Sequence, residues 1–283
     1  MKKIVLIPNM HKDKDFTVTR EVIAILSSFC THIYVEKTLT GHLPDVTSYS
    51  EDAFPKDAEL ILLIGGDGTM LRAAPLSLRY NIPLLGVNMG RLGYLTSVEQ
   101  GELSLLYRLR DNDFVVEERM TLSLSFLTGQ GKEEPLPYFA LNEVAVTGMG
   151  HLADIRLYEG EESIDYRADG LLVATPTGST AYSLSAGGPV IEDDMDAICV
   201  TPICPRSFFS RSLLFGGKAV LRIENIGSRE QGLGISIDGR ENFVLDATKT
   251  LEIKKSSQKI RILSLQPKRL LRVLCTKMKM NHF

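Results

Sequence analysis

Gly65-Gly66-Asp67-Gly68-Thr69 places one carboxylate among glycines directly after five apolar residues, 60–64. An apolar run that short fits a strand buried on both faces, and glycines beyond its carboxyl end let backbone N–H groups approach a phosphate. An acid is a poor phosphate ligand because like charges repel. Asp67 is therefore expected to accept a proton or orient a hydroxyl. A second glycine-bearing loop, Asn88-Met89-Gly90-Arg91-Leu92-Gly93-Tyr94-Leu95, follows the next short apolar run, 82–87, and should lie beside the first.

Two later stretches are further candidates, each open as well to a purely structural role. Asn142-Glu143 opens a strand at 144–146, where an amide and a carboxylate suit the vicinal hydroxyls of a ribose. Thr175-Pro176-Thr177-Gly178-Ser179-Thr180-Ala181-Tyr182-Ser183-Leu184-Ser185 follows a strand at 171–174 and has seven hydroxylated residues in eleven. That is more than capping a tight turn requires, and it can offer hydroxyls and amides to a ligand. Gly148-Met149-Gly150-His151-Leu152-Ala153 fits a dinucleotide fingerprint, but the residues after it read as a strand, so a hairpin loop is expected. Asp238-Gly239 reads as a hairpin turn. No Walker loop, nucleophile elbow or H-E-x-x-H occurs, and the four cysteines have neither zinc nor disulfide-framework spacing.

The elements that must position these residues fall into two textures. Strands at 3–9, 32–36, 60–64 and 82–87 alternate with helical patterns, the first capped by Asp15 and the second, at 69–80, kinked or delimited by Pro75. A third helix is expected at 97–109 from the capping-box spacing of Ser97-Val98-Glu99-Gln100. From residue 114 the chain reads mainly as period-2 strands, at 115–117, 122–127, 140–146, 155–158, 219–224, 235–238, 251–253 and 260–263. Turns are expected at 128–131 and 255–258. The predicted fold is an α/β domain over 1–113, with a doubly wound, mostly parallel sheet, and a β-rich domain over 114–266, an antiparallel β-sandwich. A helix within 268–280 should pack back on the first domain, so that 267–283 belongs with it.

The chain has 283 residues, 44% of them hydrophobic, and a formal charge of −3, without a long Lys/Arg block before the C-terminus. That composition supports real cores and argues against nucleic acid as a partner. No apolar run reaches 18 residues, and the apolar start at 4–7 stops at Pro8, so a soluble cytoplasmic protein with no membrane partner is expected.

Joined together, Gly65-Gly66-Asp67-Gly68-Thr69, the 86–96 loop, Asn142-Glu143 and residues 167–189 resemble the NAD kinase family over most of the chain. The resemblance implies transfer of the terminal phosphoryl group of ATP, or of polyphosphate, to the 2′-hydroxyl of the adenosine ribose of NAD, giving NADP. It implies Asp67 as general base with Gly68 lining the same site, Asn142 and Glu143 on the adenosine side of NAD, and Asp169 on the nicotinamide side. Thr180, Ala181, Tyr182, Ser183, Leu184 and Ser185 would surround the adenine, with Tyr182 stacking. Arg72, Arg167 and the Gly65-Gly66 amides are candidates near phosphates. The ribose hydroxyl brought to Asp67 would make that carboxylate a member of an interdomain site. Mg²⁺ would arrive with ATP, and the family's members are usually homodimers or homotetramers. Arg206 departs from the His often found at its place, and Arg240 follows Asp238-Gly239 at a position that often contacts NAD.

Overall fold

The computed structural model describes residues 1–280 apart from 44, 91–92, 129–131, 207–209, 229–230 and 267–269. The expected turn at 128–131, the loop residues Arg91 and Leu92, and the start of the 267–283 segment fall largely outside the described residues. The chain forms two compact units, one of residues 1–118 and 260–283, the other of residues 119–259.

The first unit opens with strand β1 (Lys3–Pro8), helix α1 (Thr17–Ser27), and strands β2 (His32–Glu36) and β3 (Thr47–Tyr49). Strand β4 (Leu60–Gly65), helix α2 (Asp67–Tyr80), and strands β5 (Leu84–Asn88) and β6 (Val98–Glu99) follow. Its sheet runs β3-β2-β1-β4-β5, every pair parallel. The order reverses between β1 and β4, where Ile4 to Pro8 pair with Leu60 to Ile64. All six residues of β4 are buried. Each fully buried Leu or Ile side chain contributes about 1.5–3 kcal/mol, which fixes this strand and so the glycines at its end.

Local details differ from the sequence expectations. Asp15 does not cap α1: the cap position is Phe16, in the left-handed region at φ 54°. The buried Asp13 carboxylate instead accepts the N–H groups of Val18 and Thr19 at 3.3 and 2.8 Å and the Thr19 hydroxyl at 2.6 Å. Helix α2 runs on through Pro75 to Tyr80 rather than ending there. Ser97 caps nothing. Its hydroxyl donates to the carbonyl of Leu263 at 2.9 Å, residues 98 and 99 pair as a strand with β5, and a 3₁₀ segment over Gln100–Leu109 is capped at Glu99.

The second unit contains most of β7 (Val115–Thr128), then β8 (Glu133–Ala140), β9 (Glu143–Gly148), β10 (Ala153–Glu159), β11 (Glu162–Ala168) and β12 (Gly170–Ala174). A 3₁₀ turn at Thr177–Thr180 leads into the single-turn helix α3 (Tyr182–Ser185). Then come β13 (Ala197–Ile203), β14 (Leu213–Gly216), β15 (Val220–Asn225), β16 (Leu233–Ile237), β17 (Glu241–Leu245) and β18 (Lys249–Ser264). One antiparallel sheet has the order β14-β13-β12-β9-β16-β17. The other contains β11-β10-β15-β18, antiparallel along that path, with β7 and β8 joined to it. Inward residues of both meet in one core, including Leu122, Ile155, Leu221 and Ile253 from one sheet and Val144, Leu171, Ile198 and Ile235 from the other. This is a sandwich.

Two expected turns are absent from it. Residues 255–258 continue β18, whose Gln258 carbonyl accepts the Thr121 hydroxyl at 2.7 Å, so polar residues here face a partner strand rather than solvent alone. The segment after Gly148 is not a hairpin either: β9 pairs with β12 and β16, β10 with β11 and β15, and the loop carries the chain from one sheet to the other. Helix α4 (Leu270–Met280) closes the described chain, grouped with the first unit and with Val273 buried.

Candidate functional site

In the first unit only Gly66 separates β4 from α2, so Asp67 is the first residue of the helix. The connection can be this tight because residue 65 lacks a side chain: a Cβ there would meet the Thr69 hydroxyl oxygen at 2.2 Å. Asp67 is half-buried, and its carboxylate accepts the N–H groups of Tyr94 at 2.9 Å and Leu95 at 3.1 Å. The second glycine loop thus meets the first, as expected, and Gly93 permits it, since a Cβ there would lie 2.2 Å from Asp67 Oδ1. A carboxylate accepts in about four directions, which leaves Asp67 capacity for a hydroxyl.

Around this carboxylate, Gly68 is exposed and the Thr69 hydroxyl accepts from Asn9 Nδ2 at 3.1 Å and from the Arg72 guanidinium at 3.4 Å. Asn88 Nδ2 donates to Glu99 Oε2 at 2.8 Å and to the Gly90 carbonyl at 3.3 Å, holding the second loop to the end of β5. Gly65, Gly66, Asp67, Gly68 and Arg72 therefore form one group, at the carboxyl ends of the central parallel strands. Ligands of open α/β sheets bind there.

In the second unit the strand mouth at Asn142-Glu143 is built from three directions. Thr175 N donates to the Asn142 carbonyl at 2.8 Å and the Thr175 hydroxyl to the Leu141 carbonyl at 2.5 Å. Gly178 packs so closely that a Cβ would lie 2.0 Å from the Asn142 carbonyl oxygen. The third support comes from Asp238, whose carboxylate accepts Leu141 N at 2.9 Å, Asn142 N at 2.8 Å and Glu143 N at 3.1 Å. The Asp238-Gly239 pair does make the hairpin turn between β16 and β17, with φ of 48° and 71°. Its half-buried side chain, however, is a clamp across the sheet. Sequence reasoning missed this role, because Asp-Gly spells a turn whether or not the carboxylate reaches elsewhere.

Glu143 is 7% exposed, and its Oε2 is buried with no hydrogen-bond partner. Burial, and then the nearby Asp238 charge, push its carboxyl up to about 7, against the opposing N–H of Tyr182. Burial likewise raises Asp238, opposed by its three backbone donors. An orphaned buried carboxylate oxygen is costly unless a donor arrives, and a ribose hydroxyl is such a donor.

Several hydroxyls of the 175–185 loop hold the loop itself. Ser179 Oγ bonds both N and O of Ile191, Thr180 Oγ1 donates to the Thr177 carbonyl at 3.2 Å, and Ser183 Oγ lies 3.0 Å from Thr201 Oγ1. The exposed members are Tyr182, Leu184 and Ser185, with Thr180 and Ala181 half-buried. Asp169 and Arg167 lie at the other end of β12 from Glu143, where Gly170 pairs with Thr147 while Ala174 pairs with Glu143. Five residues of strand make that separation roughly 16 Å. Arg167 is exposed and faces Asp154 at 3.7 Å, and its carbonyl accepts the N–H of Arg206 at 2.8 Å.

Residues 4–107 match the ATP-NAD kinase N-terminal domain, and residues 142–265 match the ATP-NAD kinase C-terminal domain. An NAD kinase of Thermoanaerobacter sp. (strain X514) is 36% identical over 264 residues, 91% of this chain and 92% of the relative. The chain belongs to the NAD kinase family. A Lachnoclostridium phytofermentans NAD kinase is 33% identical over 287 residues, covering 98% of this chain and 99% of that one. The same fold occurs in yeast NADH kinase complexed with NADH, with a TM-score of 0.84 at 22% identity, over 100% of this chain and 89% of that chain. It also occurs in an Archaeoglobus fulgidus NAD kinase in complex with ATP, with a TM-score of 0.70 at 23% identity, over 98% and 99%.

Proposed function

We propose that this protein phosphorylates NAD with ATP, moving the terminal phosphoryl group to the 2′-hydroxyl of the adenosine ribose to give NADP. The observation that carries this, in a chain of this family, is the Asp67 carboxylate at the head of α2, held by two backbone donors and able to accept a third. Asp67 takes the proton of the attacking hydroxyl. Phosphoryl transfer passes through a loose transition state in which that proton leaves late, so positioning and charge neutralisation carry most of the catalysis.

Asn142 and Glu143 hold the adenosine ribose, and the orphaned Glu143 oxygen accepts from its hydroxyls. Thr180, Ala181, Tyr182, Ser183, Leu184 and Ser185 surround the adenine, with the exposed Tyr182 ring stacked on it. Asp169 takes the nicotinamide half. The length of β12 between Glu143 and Asp169 supports an extended dinucleotide rather than a compact ligand. Arg72 and the Gly65-Gly66 amides lie on the donor's side, Gly68 lines the space beside Asp67, and Arg167 serves a phosphate of NAD.

Among the described residues no three His, Cys, Asp or Glu side chains cluster as metal ligands. Mg²⁺ would arrive with the phosphates of ATP, supplying charge neutralisation there and keeping several waters. No described helix is long and apolar enough to cross a membrane. A cytoplasmic homodimer or homotetramer, with residues 1–113 and 267–283 handling the donor and 114–266 holding NAD, completes the proposal. Purified protein with MgATP and NAD should form NADP, while lipid and hexose-phosphate acceptors should give nothing. Phosphorylation of those acceptors without NADP would refute the assignment.

A further inference from the structure

The ammonium of Lys12 lies over the glycine loop. A Cβ built on Gly66 would meet Lys12 Nζ at 2.8 Å, and one built on Gly90 would meet it at 3.4 Å. The missing side chain at residue 66 thus makes room for a cation. Lys12 is exposed and, among the described residues, has no carboxylate partner, although Asp67 and Glu99 belong to the same end of the sheet.

The turn that carries it is firmly held. Asn9 N donates to the Ile64 carbonyl at 2.8 Å, extending the pairing of β1 with β4, and Asn9 Nδ2 donates to Thr69. Lys12 N and Asp13 N both donate to the Asn9 carbonyl at 3.0 Å, and the next residue is the buried Asp13 that anchors α1. Lys12 leaves the end of β1 and Gly66 the end of β4, the two strands between which the sheet order reverses. That crevice is where open α/β sheets take their ligands, and a lysine there serves phosphate as a compact point charge.

We propose that Lys12 binds the phosphate chain of the donor nucleotide. The inference rests on the NAD kinase reading and adds to it a residue outside the glycine motif. In the transfer, the bond between the terminal phosphorus and its bridging oxygen breaks, and a bond from the ribose 2′-oxygen forms. The hydroxyl proton passes to Asp67, and the electron pair of the broken bond stays on the leaving diphosphate. Lys12 keeps its own proton and offsets the charge gathering on that chain.

The test is Lys12→Met, with Lys12→Arg as the charge-conserving variant and Lys14→Met as a neighbouring exposed lysine outside the loop. Steady-state kinetics, varying MgATP and NAD separately, and calorimetric titration of MgATP read the result. Lys12→Met should raise KM for ATP and weaken ATP binding about 10- to 100-fold, the loss expected for one charge-assisted contact, with KM for NAD within about twofold. Lys12→Arg should recover most of the loss, and Lys14→Met should match the wild type. Unchanged ATP affinity in Lys12→Met, or an equal rise in both KM values, would overturn the role of Lys12. A wild-type protein that forms no NADP would overturn the underlying reading instead.

Discussion

Two aspartates, Asp67 and Asp238, sit at turns after strands, and both carboxylates accept backbone N–H groups from a distant loop. Asp67 accepts two, from Tyr94 and Leu95, and stays half-buried at the head of a 14-residue helix. Asp238 accepts three, from Leu141, Asn142 and Glu143, and is likewise half-buried. The difference is in spare capacity. A carboxylate with free acceptor directions can meet a substrate hydroxyl, whereas one whose acceptor directions are taken up by three amides positions other residues. The first should act on the rate of chemistry, the second on the binding of NAD.

The comparison breaks most readily at Asp67. Asp67→Asn keeps the shape and an acceptor for one of the two loop amides but cannot take a proton, so kcat should fall roughly 10²–10⁴-fold while calorimetric affinity for NAD changes little. Unchanged kcat would remove Asp67 as the base. Asp238→Ala leaves three buried donors without an acceptor. It should raise KM for NAD about 10- to 100-fold and lower unfolding stability by about 1–3 kcal/mol, with Asp238→Asn intermediate, as read by kinetics and denaturant titration.

Gly178→Ala tests the same strand mouth from the other side. The added methyl group meets the Asn142 carbonyl, and a shift costing about 1–3 kcal/mol should appear in thermal unfolding, with a weaker NAD affinity. The smallest effect is on pH. Glu143 has its carboxyl raised to about 7, so its ionised, hydroxyl-accepting form grows as pH rises from 6 to 8. KM for NAD should fall a few-fold over that range, and Glu143→Gln should flatten the profile. The sign for stability is opposite: the folded chain holds the proton that the unfolded chain has already lost. Glu143's contribution therefore declines as pH rises from the ordinary carboxylate range to about 7 and is level above it.

Much of this was legible in the chain, for physical reasons that name its limits. The strand at His32–Glu36 and the buried run of β4 announce themselves by local pattern, because burial on one or two faces is written residue by residue. The meeting of the two glycine loops at Asp67 could be expected from adjacent parallel strands. Ser97 misled because capping-box spacing is local, whereas its hydroxyl is claimed by Leu263, 166 residues away. Residues 255–258 look like a turn by composition, yet strand pairing keeps them extended. Asp238 and Lys12 were invisible as site builders for a related reason. One spells a turn and the other an ordinary surface lysine until the sheet brings Leu141 to the first and Gly66 to the second.

The most direct measurement compares single-turnover NADP formation by the wild type, Asp67→Asn and Asp238→Asn at NAD and MgATP concentrations raised to saturation. Asp238→Asn should recover a near wild-type rate once NAD is saturating, while Asp67→Asn should stay at least about 100-fold slow at every concentration. Recovery of Asp67→Asn at high NAD, or equal slowing of both variants, would contradict the division of work between the two carboxylates.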